Sequence, residues 1–486
     1  MNGLFSFFLI KCLRSVFVSL MPLPESFRLS MMASWTAIAL TALPVWAQLE
    51  LTPDTAPDRS LGTQVLQNAL PNGDVIMGGT RSLNGQHLFH SFQEFNVRDN
   101  RGVYFQNPIG VQNILTRVTG RDPSDILGTL GVLGNANLFF LNPNGIFFGP
   151  NARLQINGSF VASTASSFRF PDGSEFSANN SLAPPLLMVN ITPGLQTGTI
   201  SPGSTITNRG NLTTGQDLIL ESDRLDLQGQ LVAGRNLILK AQDTVQIRDS
   251  ATTSLVASSG ANLTVQGNTV DIFTLNHPNS GFWSGRNLVL QSPNPVVGDA
   301  HFFAGGNFQV EQLDGRAGDL LSPHDPIILT NGDVRLGNYQ GASLHILAGG
   351  SVTLEGNITI ISPGTADTTI NPSNTTLFNG SRRYADLASV NLTNYEPILN
   401  RDRTVQSVNP VSVSIPINGS TQATLDVRAG IDWATLGGLP PNPVTISSPE
   451  FTTTEPPANA NITVNGNIQI NQAAGLVLLT NQYNPN

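Results

Sequence analysis

The first side chains in the sequence that could bind a metal ion together are His87, His90 and Glu94, because imidazole and carboxylate groups are zinc ligands. Their spacing differs from the H-E-x-x-H motif, in which both histidines lie on one face of a helix, and the segment reads as a strand. The other histidines, His277, His301, His324 and His345, are dispersed. We therefore expect no metal site and interpret these residues as packed or solvent-facing.

Acid–base cleavage would need carboxylates that converge in a cleft. Asp223 with Asp226, or Asp299 beside His301, could supply such a pair, but acids at the corners of a repetitive fold are usually solvated. The sequence has no Walker loop, no G-x-S-x-G elbow, no G-x-G-x-x-G loop and no cysteine nucleophile. We expect no catalytic residues, no cofactor and no enzymatic activity.

The elements that would carry these residues are short strands. Only 12% of the 486 residues are charged, 40% are hydrophobic, and the chain contains 46 Gly and 32 Pro. Low charge with abundant Gly, Asn and Thr disfavours helices and favours many strands joined by turns. The sequence predicts an all-β protein.

A pattern of Gly, one variable residue, Asn or Asp, and an apolar strand recurs from about residue 211. It reads GQDLIL, GRNLIL, GANLTV, GRNLVL and GGNFQV, with starts 19, 26, 25 and 20 residues apart. Repeats of this length indicate a solenoid, and strands with alternating inward side chains predict a parallel β-helix whose coils rise by about 4.8 Å. A string of β-sandwiches and a β-propeller are the alternatives. We attribute the recurring Gly and Asn to corners that need left-handed backbone.

Residues 1–47 have the features of a signal peptide, possibly an extended one. Arg28 precedes the apolar stretch 31–43, and Val45-Trp46-Ala47 offers small residues for cleavage before Gln48. A second apolar run, 4–20, is interrupted by Lys11 and Arg14, so an upstream start or a first membrane helix is an alternative.

Charge and cysteine content restrict the partners. The chain without residues 1–47 keeps 21 basic and 32 acidic residues, a net charge of −11, which disfavours nucleic acid as a partner. The single cysteine, Cys12, would leave with the signal peptide, so the exported chain would form no internal disulfide.

Asn142, Pro143, Asn144 and Gly145 stand between two short aromatic runs, 138–141 and 146–148. Pro at the second position and Gly after the third suit a type I β-turn, so the runs are predicted to be strands. Large exposed apolar patches are uncommon on soluble proteins. We therefore expect packing rather than an adhesive patch for the aromatic residues, Phe139, Phe140, Phe147 and Phe148.

Residues 48 to about 190 resemble the amino-terminal two-partner secretion domain of the filamentous haemagglutinin family of exoproteins. The matching stretches are LFHSFQEFNV at 88–97, VQNILTRVTGRDPSDILGTLGVLGNANLFFLNPNGIFFGP at 111–150, and LQINGSFVAST at 154–164. The resemblance implies a right-handed β-helix, export by the Sec route, and capture by a dedicated outer-membrane β-barrel transporter with periplasmic recognition domains.

The family's NPNG motif matches Asn142, Pro143, Asn144 and Gly145, so the resemblance implies that this turn belongs to the segment that the transporter reads. A turn needed only for folding is the alternative. The second family motif, NPNL, has its nearest counterpart at 107–110, which differs at the third and fourth positions, so no role is carried over.

The sequence thus predicts five parts. These are a signal peptide at 1–47, a secretion domain with an N-terminal capping region at 48–190, β-helix repeats at 191–437, a Pro/Thr-rich linker or loop at 438–460, and a partial further coil at 461–486. A further loop is predicted around 364–378. The expected function is that of a secreted or cell-surface exoprotein whose β-helix acts as an adhesin towards a host-cell or surface glycan ligand. An extracellular β-helix polysaccharide lyase or hydrolase is the alternative, and a cytolysin is a third hypothesis.

Overall fold

The computed structural model describes residues 51–171, 173–179, 196–324, 326–364, 389–399, 405–444 and 459–481. The predicted signal peptide, most of the predicted loop at 364–378 and residues 445–458 of the predicted linker lie outside these ranges. The described residues form strands and no α-helix. They contain no helix that could span a membrane.

The described ranges contain forty-two strands, which are numbered in chain order. Strands β1 to β14 are Leu51–Pro53, Thr63–Leu70, Gly73–Gly78, Thr80–Arg81, His87–Phe95, Gly102–Gln106, Asn113–Val118, Ser124–Ile126, Thr129–Leu133, Asn137–Leu141, Ile146–Phe148, Arg153–Gln155, Phe160–Ser163 and Ser167–Arg169. Strands β15 to β28 are Glu175–Ser177, Gln196–Thr197, Thr205–Asn208, Asn211–Thr214, Leu218–Leu227, Gln230–Ala233, Leu237–Arg248, Val256–Ser259, Leu263–Gln266, Thr269–Phe273, Gly281–Ser284, Leu288–Gln291, Val296–Asp299 and His301–Ala304. Strands β29 to β42 are Phe308–Glu311, Leu320–Ser322, Ile327–Thr330, Val334–Leu336, Tyr339–Gly341, Leu344–Ala348, Val352–Leu354, Ile358–Ile360, Ser389–Leu399, Val405–Pro416, Thr424–Arg428, Ile462–Val464, Ile468–Ile470 and Leu476–Thr480.

Most strands stack in parallel into three faces that run along one axis. Face 1 is β5-β7-β10-β13-β19-β21-β23-β26-β29-β32-β35-β40. Face 2 is β8-β11-β17-β19-β21-β24-β27-β30-β33-β36-β41, because β19 and β21 continue from face 1 into face 2. Face 3 is β3-β6-β9-β12-β18-β20-β22-β25-β28-β31-β34-β39-β42. The predicted parallel β-helix is confirmed, and the sandwich and propeller alternatives are wrong.

Twelve coils follow one another, one for each strand of face 1 from β5 (coil 1) to β40 (coil 12). Leu218 pairs with Leu237, Leu237 with Leu263, Leu263 with Leu288, and Leu288 with Phe308, which reproduces the predicted spacings of 19, 26, 25 and 20 residues. The inward side chains of all three faces form one continuous apolar core. The division of the chain at 190, 437 and 460 stays a prediction, and the ladder of face 3 is continuous from β3 to β42.

The recurring Asn or Asp after each glycine forms a ladder of hydrogen bonds at the corner before face 1. Each side-chain oxygen accepts the backbone N–H of the equivalent residue one coil later, at 2.7–3.3 Å. The ladder runs through Asp217, Asn236, Asn262, Asn287, Asn307, Asp333 and Ser351. The motif therefore joins successive coils.

The prediction of left-handed backbone at these corners is wrong. None of the repeat glycines Gly215, Gly234 and Gly285 has a positive φ, and neither do the ladder asparagines. A Cβ on Gly234 would lie 2.1 Å from the carbonyl oxygen of Gly215, and one on Gly285 would lie 2.2 Å from that of Gly260. Glycine recurs because the coils approach too closely for a side chain, not because of its φ.

Two groups of antiparallel strands outside the three faces cover the N-terminal coils. Strands β1 and β4 pair antiparallel with β5, and β2 pairs antiparallel with β3, which together form a cap on coil 1. Between β13 and β17 the chain leaves the coil and forms the antiparallel sheet β15-β14-β16. This sheet buries outward side chains of face 1, including Phe89, Leu115 and Phe139, against Phe168 and Phe176.

Candidate functional site

The NPNG turn lies at the corner between face 1 and face 2 of coil 3. Strand β10 ends at Leu141 and β11 begins at Ile146, so the strands predicted on both sides are confirmed. The Gly145 N–H donates to the Asn142 carbonyl at 3.2 Å, which closes a β-turn, and Asn144 keeps a negative φ, as a type I turn requires. Gly145 has a φ of +123°, which explains why the chain uses glycine there.

Both asparagines of this turn bind the turn of the preceding coil. Asn142 Nδ2 donates to the Asp122 carbonyl at 3.1 Å and to Ser124 Oγ at 3.0 Å. Asn144 Nδ2 donates to the Gly120 carbonyl at 3.0 Å, and its backbone N–H donates to Asn142 Oδ1 at 3.0 Å. The motif stacks coil 3 onto coil 2.

The four motif residues differ in their exposure to solvent. Asn142 is fully buried, Pro143 and Gly145 are buried, and Asn144 is exposed. In the folded chain a partner can therefore reach the Asn144 side chain, while the other three residues hold the turn in place.

The near-match to NPNL, at 107–110, occupies the corner between face 3 and face 1. Asn107 Oδ1 accepts the backbone N–H groups of Asn135 and Ala136 at 3.1 and 3.2 Å, so this turn also joins two coils. Ile109 is 98% exposed. The position shares the stacking role of NPNG, at a different corner.

The aromatic residues beside the NPNG turn are mostly buried, as we expected. Phe140 and Phe148 lie in the core, and Phe139 packs against Phe168 of the outer sheet with ring centroids 5.9 Å apart. Phe147 is half-buried.

The two histidines of the candidate metal cluster make other contacts. His87 Nδ1 lies 3.2 Å from Asn113 Nδ2, and His90 Nδ1 lies 3.3 Å from Thr63 Oγ1. Burial lowers the pKa of His90 to about 3, so its ring is neutral. Within the described ranges no three His, Cys, Asp or Glu side chains could hold a metal ion.

The candidate acids hold turns and ion pairs. Asp223 accepts the Gly203 N–H at 2.6 Å, and Asp226 pairs with Arg209. Asp299 accepts from Ser322 Oγ and from the backbone N–H of His324. These contacts are those of structural carboxylates.

Two buried charged groups were not predicted from the sequence. Arg117 Nε donates to Ser91 Oγ at 2.9 Å, and Ser91 Oγ donates to Asp54 Oδ2 at 2.6 Å. Arg117 Nη1 donates to the Ser177 carbonyl at 2.6 Å. Arg117 thus links the cap, coil 2 and the outer sheet.

The second group lies on the outer side of face 3. Asp426 accepts from Arg428 Nε at 2.8 Å and lies 3.2 Å from His345 Nδ1, and all three side chains are fully buried. Burial alone would raise the pKa of Asp426, but Arg428 and His345 hold it below its ordinary value. The only signal for both groups in the sequence is a charge inside an apolar strand, in NILTRV and TLDVR.

Comparisons with known proteins give the family of the chain. A family model described as the TPS secretion domain matches residues 54–310. The match covers more than half of the chain and extends beyond the predicted boundary at 190. A comparison with curated proteins gives no match.

Two solved structures are similar to the chain. A filamentous hemagglutinin secretion domain is 18% identical, with a TM-score of 0.38, and the alignment covers 63% of this chain and 99% of that chain. The HMW1 secretion domain from Haemophilus influenzae is 15% identical, with a TM-score of 0.29 and coverage of 63% and 86%. Both TM-scores lie below 0.5, so the family assignment rests on the family model. The chain belongs to the TPS secretion domain family and is a two-partner-secretion exoprotein.

Proposed function

We propose that the signal peptide at 1–47 directs this chain through the Sec route. A cognate outer-membrane β-barrel transporter then binds the N-terminal coils of the chain with its periplasmic recognition domains. The observation that supports the proposal is the family match at 54–310, which spans the cap and the NPNG turn. In this proposal Asn142, Pro143, Asn144 and Gly145 form the secretion motif. The transporter contacts the Asn144 side chain of the folded turn.

Folding of the later coils outside the cell would drive export. Each coil pairs in parallel with the one before it, so a finished coil is a template for the next. Stacked coils bury the apolar core, and this burial opposes backward sliding. The chain itself then needs no nucleotide-binding site.

The finished β-helix would act as a non-enzymatic adhesin, secreted or held at the cell surface, with a host-cell or surface glycan as its ligand. An elongated solenoid presents extended outer faces that suit such binding. The ion pairs and turn contacts of Asp226 and Asp299 support a structural role for the acids that a lyase would use.

The first test compares two exposed asparagines of coil 3 in cells that express the transporter. Asn144→Ala should lower the amount of secreted chain severalfold, because it removes the accessible group of the motif. Its cost in folding stability should be about 1 kcal/mol or less, since one of the two lost hydrogen bonds is exposed and the other is only part-buried.

Asn151→Ala is the matched control. Asn151 is also exposed and also makes one side-chain bond to an earlier coil, from Nδ2 to Asp99 Oδ2 at 3.2 Å. The Asn151→Ala variant should be secreted in the same amount as the parent. If the Asn144→Ala variant is also secreted in the parent's amount, the turn serves folding alone.

A further inference from the structure

Face 3 carries a column of large apolar side chains on its outer side. Trp283, Phe303, Leu329 and Leu347 are register partners in β25, β28, β31 and β34, the strands of coils 7 to 10. The Trp283 and Phe303 rings stack with centroids 5.1 Å apart. Three steps of about 4.8 Å make the column about 15 Å long. Left uncovered, it would be a contiguous apolar patch of the kind that aggregates.

Residues 431–444, which we call the clasp, cover this column. Ile431, Trp433, Leu436 and Leu439 share one buried cluster with it, and Val444 packs against that cluster. Trp433 is 1% exposed and is among the largest fully buried side chains of the described residues.

Hydrogen bonds fix the direction of the clasp. The Ile431 N–H donates to the Ala348 carbonyl at 3.0 Å in coil 10, and Trp433 Nε1 donates to the Thr330 carbonyl at 2.7 Å in coil 9. At the other end Asn442 Nδ2 donates to Ser258 Oγ at 2.5 Å in coil 6. The clasp therefore runs backwards across coils that precede it in the chain.

We propose that the clasp closes after the coils beneath it have stacked and sets the rate at which the finished β-helix unfolds. Coils 6 to 10 end at residue 348, so a chain that emerges with its N-terminus first completes them before residue 431 appears. In the cell this order rests on the proposed export. It also holds for a whole chain that refolds in solution, because the apolar column exists only after coils 7 to 10 have stacked. The clasp's contacts reach five coils, so unfolding of any of them must first break contacts that the clasp makes.

Unfolding and refolding of the purified full-length chain test the proposal, followed by circular dichroism after jumps into and out of urea. Trp433→Ala should raise the unfolding rate about 100-fold and leave the refolding rate within about twofold of the parent, because contacts that form after the transition state act on unfolding alone. Ala434→Ser, at an exposed position one residue away, should keep both parent rates.

Slower refolding of Trp433→Ala with an unchanged unfolding rate would overturn the proposal, and so would no change in either rate. If this variant does not fold, Asn442→Ala gives the same two readings with a smaller rise in the unfolding rate expected. No transporter takes part, so this result is independent of whether the proposed export fails.

Discussion

Arg117→Met should lower the free energy of unfolding by about 3–5 kcal/mol, because it removes the buried cation that Ser91 links to the buried Asp54 carboxylate. Burial lowers the pKa of Arg117 to about 10, although Asp54 opposes this shift, so the guanidinium is charged at neutral pH. It also lies 5.0 Å from the centroid of the Phe176 ring. Methionine keeps an unbranched apolar stem but no guanidinium, so the buried Asp54 carboxylate is left without its cation.

Urea unfolding of the purified chain measures this loss. The double variant Asp54→Asn/Arg117→Met should recover part of it, because it also removes the carboxylate that the single variant leaves buried. Ser91→Ala should cost less than Arg117→Met, since both charges remain. A single variant within about 1 kcal/mol of the parent, the value of one ordinary hydrogen bond, would contradict the role given to Arg117.

Acidification from pH 7 to pH 4.5 should destabilise the folded chain by about 5 kcal/mol through two buried histidines. Burial lowers the pKa of His90 to about 3 and that of His301 to about 4, from an ordinary value of 6.5. Below pH 6.5 the unfolded chain therefore binds more protons than the folded chain. Stability rises with pH across this window, and each histidine contributes about 2.5 kcal/mol by pH 4.5.

Thermal unfolding at a series of pH values tests this dependence. The double variant His90→Leu/His301→Leu should lose most of the slope between pH 4.5 and 6.5, and each single variant should lose about half. An unchanged slope in the double variant would show that other groups cause the acid sensitivity.

The coil architecture could be predicted because it is encoded locally. Each repeat carries its glycine, its ladder residue and its inward leucines within one short stretch, as in GRNLIL. The spacing of these stretches then gave the register of Leu218, Leu237, Leu263 and Leu288 directly. The NPNG turn is local in the same sense.

The outer layers could not be predicted because their contacts join distant residues. Trp283 and Phe303 each follow an inward aromatic residue in the short strands GFWS and HFFA, so the sequence does not show which ring points outward. Nothing near these residues in the sequence indicates that Trp433 covers them. Arg117 likewise meets Ser177, sixty residues away. The expected left-handed corners were wrong because residue type shows that glycine is needed but not whether φ or close packing is the reason.

The amount of mature chain in the medium tests the central claim most directly, when the chain is expressed with its cognate barrel transporter and with the transporter omitted. We expect secretion only when the transporter is present, and retention in the periplasm when it is absent. Equal amounts in the medium under both conditions would contradict export by a two-partner route.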